Sequence, residues 1–207
     1  MESLEPLHER IRLCRLCFPE GGNKPVSGGG SSAPGGVLFI GQAPGAREPE
    51  AQKMFAWTAG KRLFRWLAGL GWSEEEARAR AYFTAVTKCY PGKDPGGRGD
   101  RRPPPWMVVN CAPYLQEALE ALKPRVVVTI GGLAAERFLP GRRLSDIVGR
   151  KFVARQNGRR VVLVPVPHPS GASSWFIKRQ NRVRLQRALE TLRVELDRMG
   201  LCGPAKR

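Results

Sequence analysis

The chain has 207 residues, with 35 Lys plus Arg against 18 Asp plus Glu, a formal net charge of +17. A hydrophobic fraction of 42% and a charged fraction of 26% are ordinary globular values. They exclude wholesale disorder and fibrous repeats, and they make one domain over residues 1–207 the economical reading, with an arm at 1–35 and a tail at 200–207. The longest apolar stretch, Val126–Ala135, is broken by Thr129 and the Gly131-Gly132 pair. It falls well short of the roughly 20 residues that a membrane span needs. The opening MESLEPLHER is acidic and lacks an apolar signal region, so a cytoplasmic protein is expected. An excess of this size points to nucleic acid, an anionic membrane surface or a polyanionic protein. Arg outnumbers Lys and is the better phosphate fork, and no basic helix carries a clean aromatic face. Nucleic acid leads.

No internal repeat is visible. Leu4–Cys14 has the pattern of a short helix, followed by CRLC and the loop GGNKPVSGGGSSAPGG, whose Gly, Ser and Pro oppose regular structure. Val37–Ile40 is a short apolar run bounded by glycines, hence a buried strand. It opens onto GQAPG and then a helical pattern through KRLFRWLAGLGW. Ser73 followed by Glu76 is a capping box for a further short helix. Ala81–Thr87 is a second strand, and Gly92–Pro105 (GKDPGGRGDRRPPP) is a basic, structureless loop. Pro113–Leu122 is helical. Arg125–Ile130 is a third strand, after which Gly131-Gly132 starts another helix. Val161–Val166 is a fourth strand leading into HPSGASSW, and Phe176–Met199 is one long basic helix. Short apolar strands alternating with helices predict an α/β fold with a parallel sheet covered on both faces. Ligands of such sheets sit beyond the carboxyl ends of the strands. Those ends carry GQAPG, TKCYPG, IGGLAA and HPSGAS.

Five cysteines punctuate this pattern: Cys14 and Cys17 as a CxxC pair, Cys89 after a strand, Cys111 before a helix, and Cys202 in a Gly/Pro tail. In a cytosolic protein a disulfide framework is disfavoured, leaving zinc, an iron–sulfur cluster, redox chemistry or separate buried thiols. A thioredoxin-type pair belongs after a strand, whereas Cys14 ends a helix. Four thiolates suit tetrahedral zinc and a [4Fe–4S] cluster equally well. Cys202 reads as a free thiol.

Taken in order, CRLC, VLFIGQAPG, FAWTAGKRLFRWL, YFTAVTKCYPG, NCAPYL, VVVTIGGLAA and VPHPSGAS resemble the uracil-DNA glycosylase superfamily, in particular its iron–sulfur-containing family 4. The resemblance covers most of the chain. It implies a single α/β/α domain with a four-stranded parallel sheet, and a structural [4Fe–4S] cluster on Cys14, Cys17, Cys89 and Cys111. The implied activity is a monofunctional hydrolase that flips uracil out of DNA and cleaves its N-glycosidic bond, initiating base-excision repair. The implied partner is uracil-containing DNA, single- or double-stranded, met by a monomer working in the cytoplasm at the nucleoid, with no membrane involved.

Such chemistry leaves negative charge on the base and positive charge on the sugar, so it calls for donors at the base oxygens, an aromatic floor and a poised water. By the resemblance, Gln42 and the turn amides face the base and the water. Phe55 stacks on uracil, Gly41, Ala43 and Ala85 occupy base-facing positions, and His168 donates to a uracil carbonyl. Ser170, Gly171 and Trp175, or Phe176 as a wedge, belong to the loop that clamps the duplex. Arg101 and Arg102, with arginines 98, 142, 143, 150, 159 and 160, are candidates for phosphate contact. The chain also departs from the family. Ala43 stands where the most efficient branch has Asp, Gln42 where family 4 has Glu, Thr58 where another branch has an acid, and Ala85 where family 4 has a base-reading Asn. The nearest acids are Glu48 and Glu50, which makes Glu48 the candidate water-activating group. Two alternatives stand beside uracil excision: a glycosylase for hypoxanthine or xanthine, and a nucleic-acid-binding protein built on the same scaffold.

Overall fold

The structure, a computed structural model, describes residues 3–97, 99–170 and 174–202. Its strands are β1 (Gly29–Gly30), β2 (Val37–Gly41), β3 (Ala81–Ala85), β4 (Val126–Ile130), β5 (Phe152–Gln156) and β6 (Arg159–Val166). They form one six-stranded sheet in the order β1-β3-β2-β4-β6-β5. The four central strands pair in parallel, Val37 opposite both Ala81 and Val126, and Val126 opposite Val162. The expected four-stranded parallel sheet is therefore present at the centre. Two antiparallel edges make the whole sheet mixed, β1 along β3 and β5 along β6.

Every residue of β2, β3 and β4 is buried, as a sheet covered on both faces demands. The helices doing the covering are α1 (Glu5–Leu13), α2 (Glu48–Ala51), α3 (Thr58–Ala68), α4 (Glu74–Arg80), α5 (Pro105–Leu122), α6 (Gly132–Glu136), α7 (Leu144–Ile147) and α8 (Arg179–Arg198). Val37 and Phe39 face one core with Leu63, Leu67 and Leu192 of α3 and α8. Leu38 and Ile40 face the other, with Leu7 and Ile11 of α1 and Leu115 and Leu119 of α5. Period-two alternation along each strand thus feeds two helical layers. Among the described residues no helix is long and apolar enough to cross a membrane.

The arm is fastened. His8 Nε2 and the Tyr82 hydroxyl are 2.5 Å apart, joining α1 to β3. The Gly-rich segment read as structureless contributes β1, because it lies flat on β3: a Cβ on Gly30 would stand 2.2 Å from the Ala81 carbonyl oxygen. At the other end the Trp72 indole and Arg80 both donate to the Leu201 carbonyl at 2.8 Å. Residues 203–207 of the tail lie outside the described residues.

Local signals account for most boundaries. Ser73 Oγ accepts from Glu76 N at 3.1 Å while Glu76 returns the bond to Ser73 N at 2.8 Å, both halves of the expected capping box. Such a cap stabilises a helix end by about 1 kcal/mol. α5 starts at Pro105, not Pro113, since proline suits a first turn whose N–H groups have no partner. The final helix starts later than expected: a 3₁₀ turn (Ser174–Ile177) precedes α8.

Candidate active site

The carboxyl ends of β2, β3 and β6 and the start of α3 surround a cavity of about 560 Å³. Its walls are the turn Gln42–Glu48, then Phe55, Trp57 and Thr58, then Pro91, Gly99 and Asp100, and finally His168 and Ser170. β4 contributes by closure: Gly131 N donates to the Val166 carbonyl at 2.9 Å, drawing the ends of β4 and β6 together. The size suits a base with its sugar.

Phe55 is buried and held in an uncommon conformation, with φ of +56°. A left-handed aromatic costs of order 1 kcal/mol or more and persists only where its surroundings enforce it. They do so here. A Cβ on Gly60 would fall 1.7 Å from the Phe55 carbonyl oxygen, so only glycine lets α3 begin there. A Cβ on Gly41 would fall 2.9 Å from Phe55 Cζ, so the ring lies directly on the end of β2. Arg78 donates to the Met54 carbonyl at 3.1 Å and to that of Phe55 at 3.4 Å.

Glu48 completes the clamp. One carboxylate oxygen accepts Gly45 N at 2.8 Å and the other Ala56 N at 3.1 Å, tying the GQAPG turn to the residue after Phe55. Burial pushes its pKa up and the Asp100 charge adds to the rise, while the Gly45 and Ala56 amides pull it back down. Gln42 sits in the wall, its carbonyl accepting Thr87 N at 3.1 Å.

His168 Nδ1 accepts the Ser170 backbone N–H at 3.3 Å. In the neutral ring the proton is then on Nε2, available as a donor. Burial lowers the pKa of the ring and Asp100 partly offsets that, so the neutral form dominates at pH 7. The ring packs beside Gly131, where an added Cβ would make an ordinary 3.4 Å contact with the His168 Cβ and the φ of +87° is what favours glycine. Ser170 is fixed in turn, its carbonyl accepting from Arg62 at 3.0 Å.

Gln42, Ala43, Glu48, Phe55, His168 and Ser170 therefore line one cavity, and Gly41 lies beneath the Phe55 ring. Ala85 sits opposite Gly41 in the parallel ladder, is likewise buried behind the wall, and its carbonyl accepts Lys88 Nζ at 2.7 Å. Trp175 and Phe176 pack against the core and Trp66, and the exposed apolar side chain of that turn is Ile177, at 77%. Gly171 and Arg98 lie outside the described residues. Arg101 is exposed, while Arg102 pairs with Glu136 at 2.7 Å. Sequence reasoning missed three residues. Trp57 lies at the rim under the Arg47 guanidinium, 4.2 Å from its ring centroid. Arg62 and Asp100 are the other two.

Cys14, Cys17, Cys89 and Cys111 gather where α1, α5 and the end of β3 meet. Burial drives the Cys89 thiol up to about 12, and Cys111, Cys17 and Cys14 add to the rise, so the four sense one another. The sulfurs carry donors: Lys88 N to Cys111 at 3.4 Å and Asn110 Nδ2 to Cys17 at 3.5 Å. Lys88 is fully buried beside them, its pKa pulled down to about 8 by burial. Among the described residues no group of three or more His, Cys, Asp or Glu side chains is arranged to hold a metal ion. Cys202 stands apart, its thiol donating to the Arg193 carbonyl at 3.6 Å.

Residues 30–193 match the family described as the uracil DNA glycosylase superfamily. A type-4 uracil-DNA glycosylase of Pyrobaculum aerophilum is 34% identical over 81% of this chain and 83% of its own. That of Archaeoglobus fulgidus is 30% identical over 82% and 83%. A type-5 uracil-DNA glycosylase of Pyrobaculum aerophilum is 36% identical over 47% and 45%. The chain belongs to the uracil-DNA glycosylase superfamily.

Proposed function

We propose that this protein is a monofunctional uracil-DNA glycosylase, extruding deoxyuridine from DNA and hydrolysing its N-glycosidic bond to begin base-excision repair. The observation that carries the reading is the meeting, in one cavity, of a conformationally enforced aromatic floor and a neutral histidine whose free nitrogen bears the proton. The type-4 enzymes it resembles support the choice of base.

Extrusion costs a few kcal/mol, offset when the base stacks on Phe55 and the backbone is gripped outside. As the C1′–N1 bond lengthens, electron density moves onto the uracil carbonyl oxygens. The His168 Nε2–H meets it without prior charging, so the hydrogen bond strengthens as the transition state is reached. Gln42 and the turn amides orient the base and the water. Glu48 keeps turn and floor in register. Ser170, at the cavity wall, opens the clamping loop to which Gly171 and Trp175 are assigned by the resemblance, and Arg101 and Arg102 belong to the phosphate track. The +17 charge is their long-range counterpart.

Cys14, Cys17, Cys89 and Cys111 fit a [4Fe–4S] cluster in the chemistry of the donor set: four soft thiols, amide donors on two sulfurs and a buried cation nearby. When bound, the cluster would cross-link the arm to the sheet beside the cavity, and visible absorbance with a brown colour tests it.

The alanine at position 85, whose methyl cannot hydrogen-bond a base edge, favours one second reading, excision of hypoxanthine or xanthine. Chromatography of the small molecules released from uracil-, hypoxanthine- and xanthine-containing DNA decides. Free uracil supports the proposal, and release of only a purine replaces it with the second reading.

A further inference from the structure

Two carboxylates face the cavity, and their surroundings differ. Glu48 is buried, with each oxygen engaged by a backbone amide. Asp100 arrives on the Arg/Gly/Pro loop between Cys89 and Cys111, where the backbones of Lys93 and Asp100 pair as an isolated antiparallel bridge and Arg101 N donates to the Gly92 carbonyl at 2.8 Å. This short hairpin presents Asp100 against Pro91 in the cavity wall. One oxygen accepts the Tyr90 hydroxyl at 3.2 Å. The other lies 3.2 Å from where a Cβ on Gly45 would stand, over the GQAPG turn. Asp100 is also the acid whose charge reaches both Glu48 and His168.

Resting on the glycosylase reading above, we infer that Asp100 is the catalytic carboxylate that holds and deprotonates the attacking water, and that Glu48 is a positioning residue. The C1′–N1 bond breaks with its electron pair going to uracil N1, and is spread over the carbonyl oxygens that His168 faces. The water oxygen bonds to C1′ and its proton passes to Asp100. That proton then leaves to the departing base or to solvent, so water and deoxyuridine become an abasic sugar and uracil. The negative Asp100 also stabilises positive charge on the sugar while its bond to the base is broken. The position of the acid explains how a chain with Ala43 and Gln42 in its first motif keeps a carboxylate at the reaction centre: it comes from the loop between Cys89 and Cys111 and lies over the GQAPG turn.

The test is D100N beside Y90F, read as single-turnover uracil release at saturating enzyme, with binding to uracil-free DNA and the melting temperature measured alongside. Asn keeps an acceptor for the Tyr90 hydroxyl, so D100N retains the loop and loses only proton acceptance. D100N is expected to slow release by about 10²-fold or more, with DNA binding and melting unchanged. Y90F, which removes the brace alone, stays within a few-fold of the unaltered protein. D100N keeping pace with an active unaltered protein overturns the assignment alone, as does Y90F falling as far as D100N. If the unaltered protein releases no uracil, the glycosylase reading falls and takes the assignment with it.

Discussion

His168→Ala removes the donor on which the proposed chemistry depends. Deleting one such donor typically raises the barrier by about 3–4 kcal/mol, or roughly 10²–10³ in rate. The structural price is small by comparison. His168 is half-buried and accepts one backbone hydrogen bond, from Ser170 at 3.3 Å. Losing that bond destabilises by about 1 kcal/mol, a melting shift of about 2–4 °C in a chain of this length. The two readouts should therefore separate: single-turnover uracil release falls by two to three orders of magnitude while the melting temperature barely moves. His168→Gln, which keeps an N–H, should recover part of the rate. A rate within threefold for His168→Ala would refute the assignment of the donor.

Because burial sets the folded His168 pKa below its ordinary 6.5, the unfolded chain binds more protons just below that pH. The contribution of this group to stability is thus fully present above about pH 6.5 and is lost as the pH falls through the folded value. Comparison of acid melting curves for the unaltered protein and His168→Ala should show that difference. Gly41→Ala drives a methyl to within 2.9 Å of Phe55 Cζ. Overpacking of this kind costs about 1–3 kcal/mol, and the displaced floor should weaken excision more than it weakens binding to uracil-free DNA. Cys89→Ser should abolish visible absorbance and open the arm to limited proteolysis between residues 14 and 36. If six phosphates are contacted, a log–log plot of DNA affinity against salt should have a slope of about −5.

The four central strands were legible because each is a short, near-continuous apolar run, the pattern of a strand buried on both faces of a parallel sheet. β5 was not. In FVARQ, Val153 is 52% exposed and the flanking residues are basic, so the hairpin edge carries the pattern of a surface loop. The cavity was legible at Gln42, Phe55 and His168, because the strand-end rule brings their segments together whatever the loops do. Ala85 obeys the same rule, opposite Gly41 at the strand ends, but its methyl is too short to reach past the wall. Asp100 had no signal at all. Its place depends on a hairpin closed by backbone hydrogen bonds across a Gly-rich stretch, which composition alone reads as structureless.

The most direct test of the central claim is a side-by-side panel of oligonucleotides carrying one uracil, hypoxanthine or xanthine, single-stranded and opposite each normal base, treated with the purified protein and then alkali. The proposed function predicts strand breaks at uracil, faster than at either purine lesion and lost in His168→Ala. Intact strands in every uracil context would contradict it.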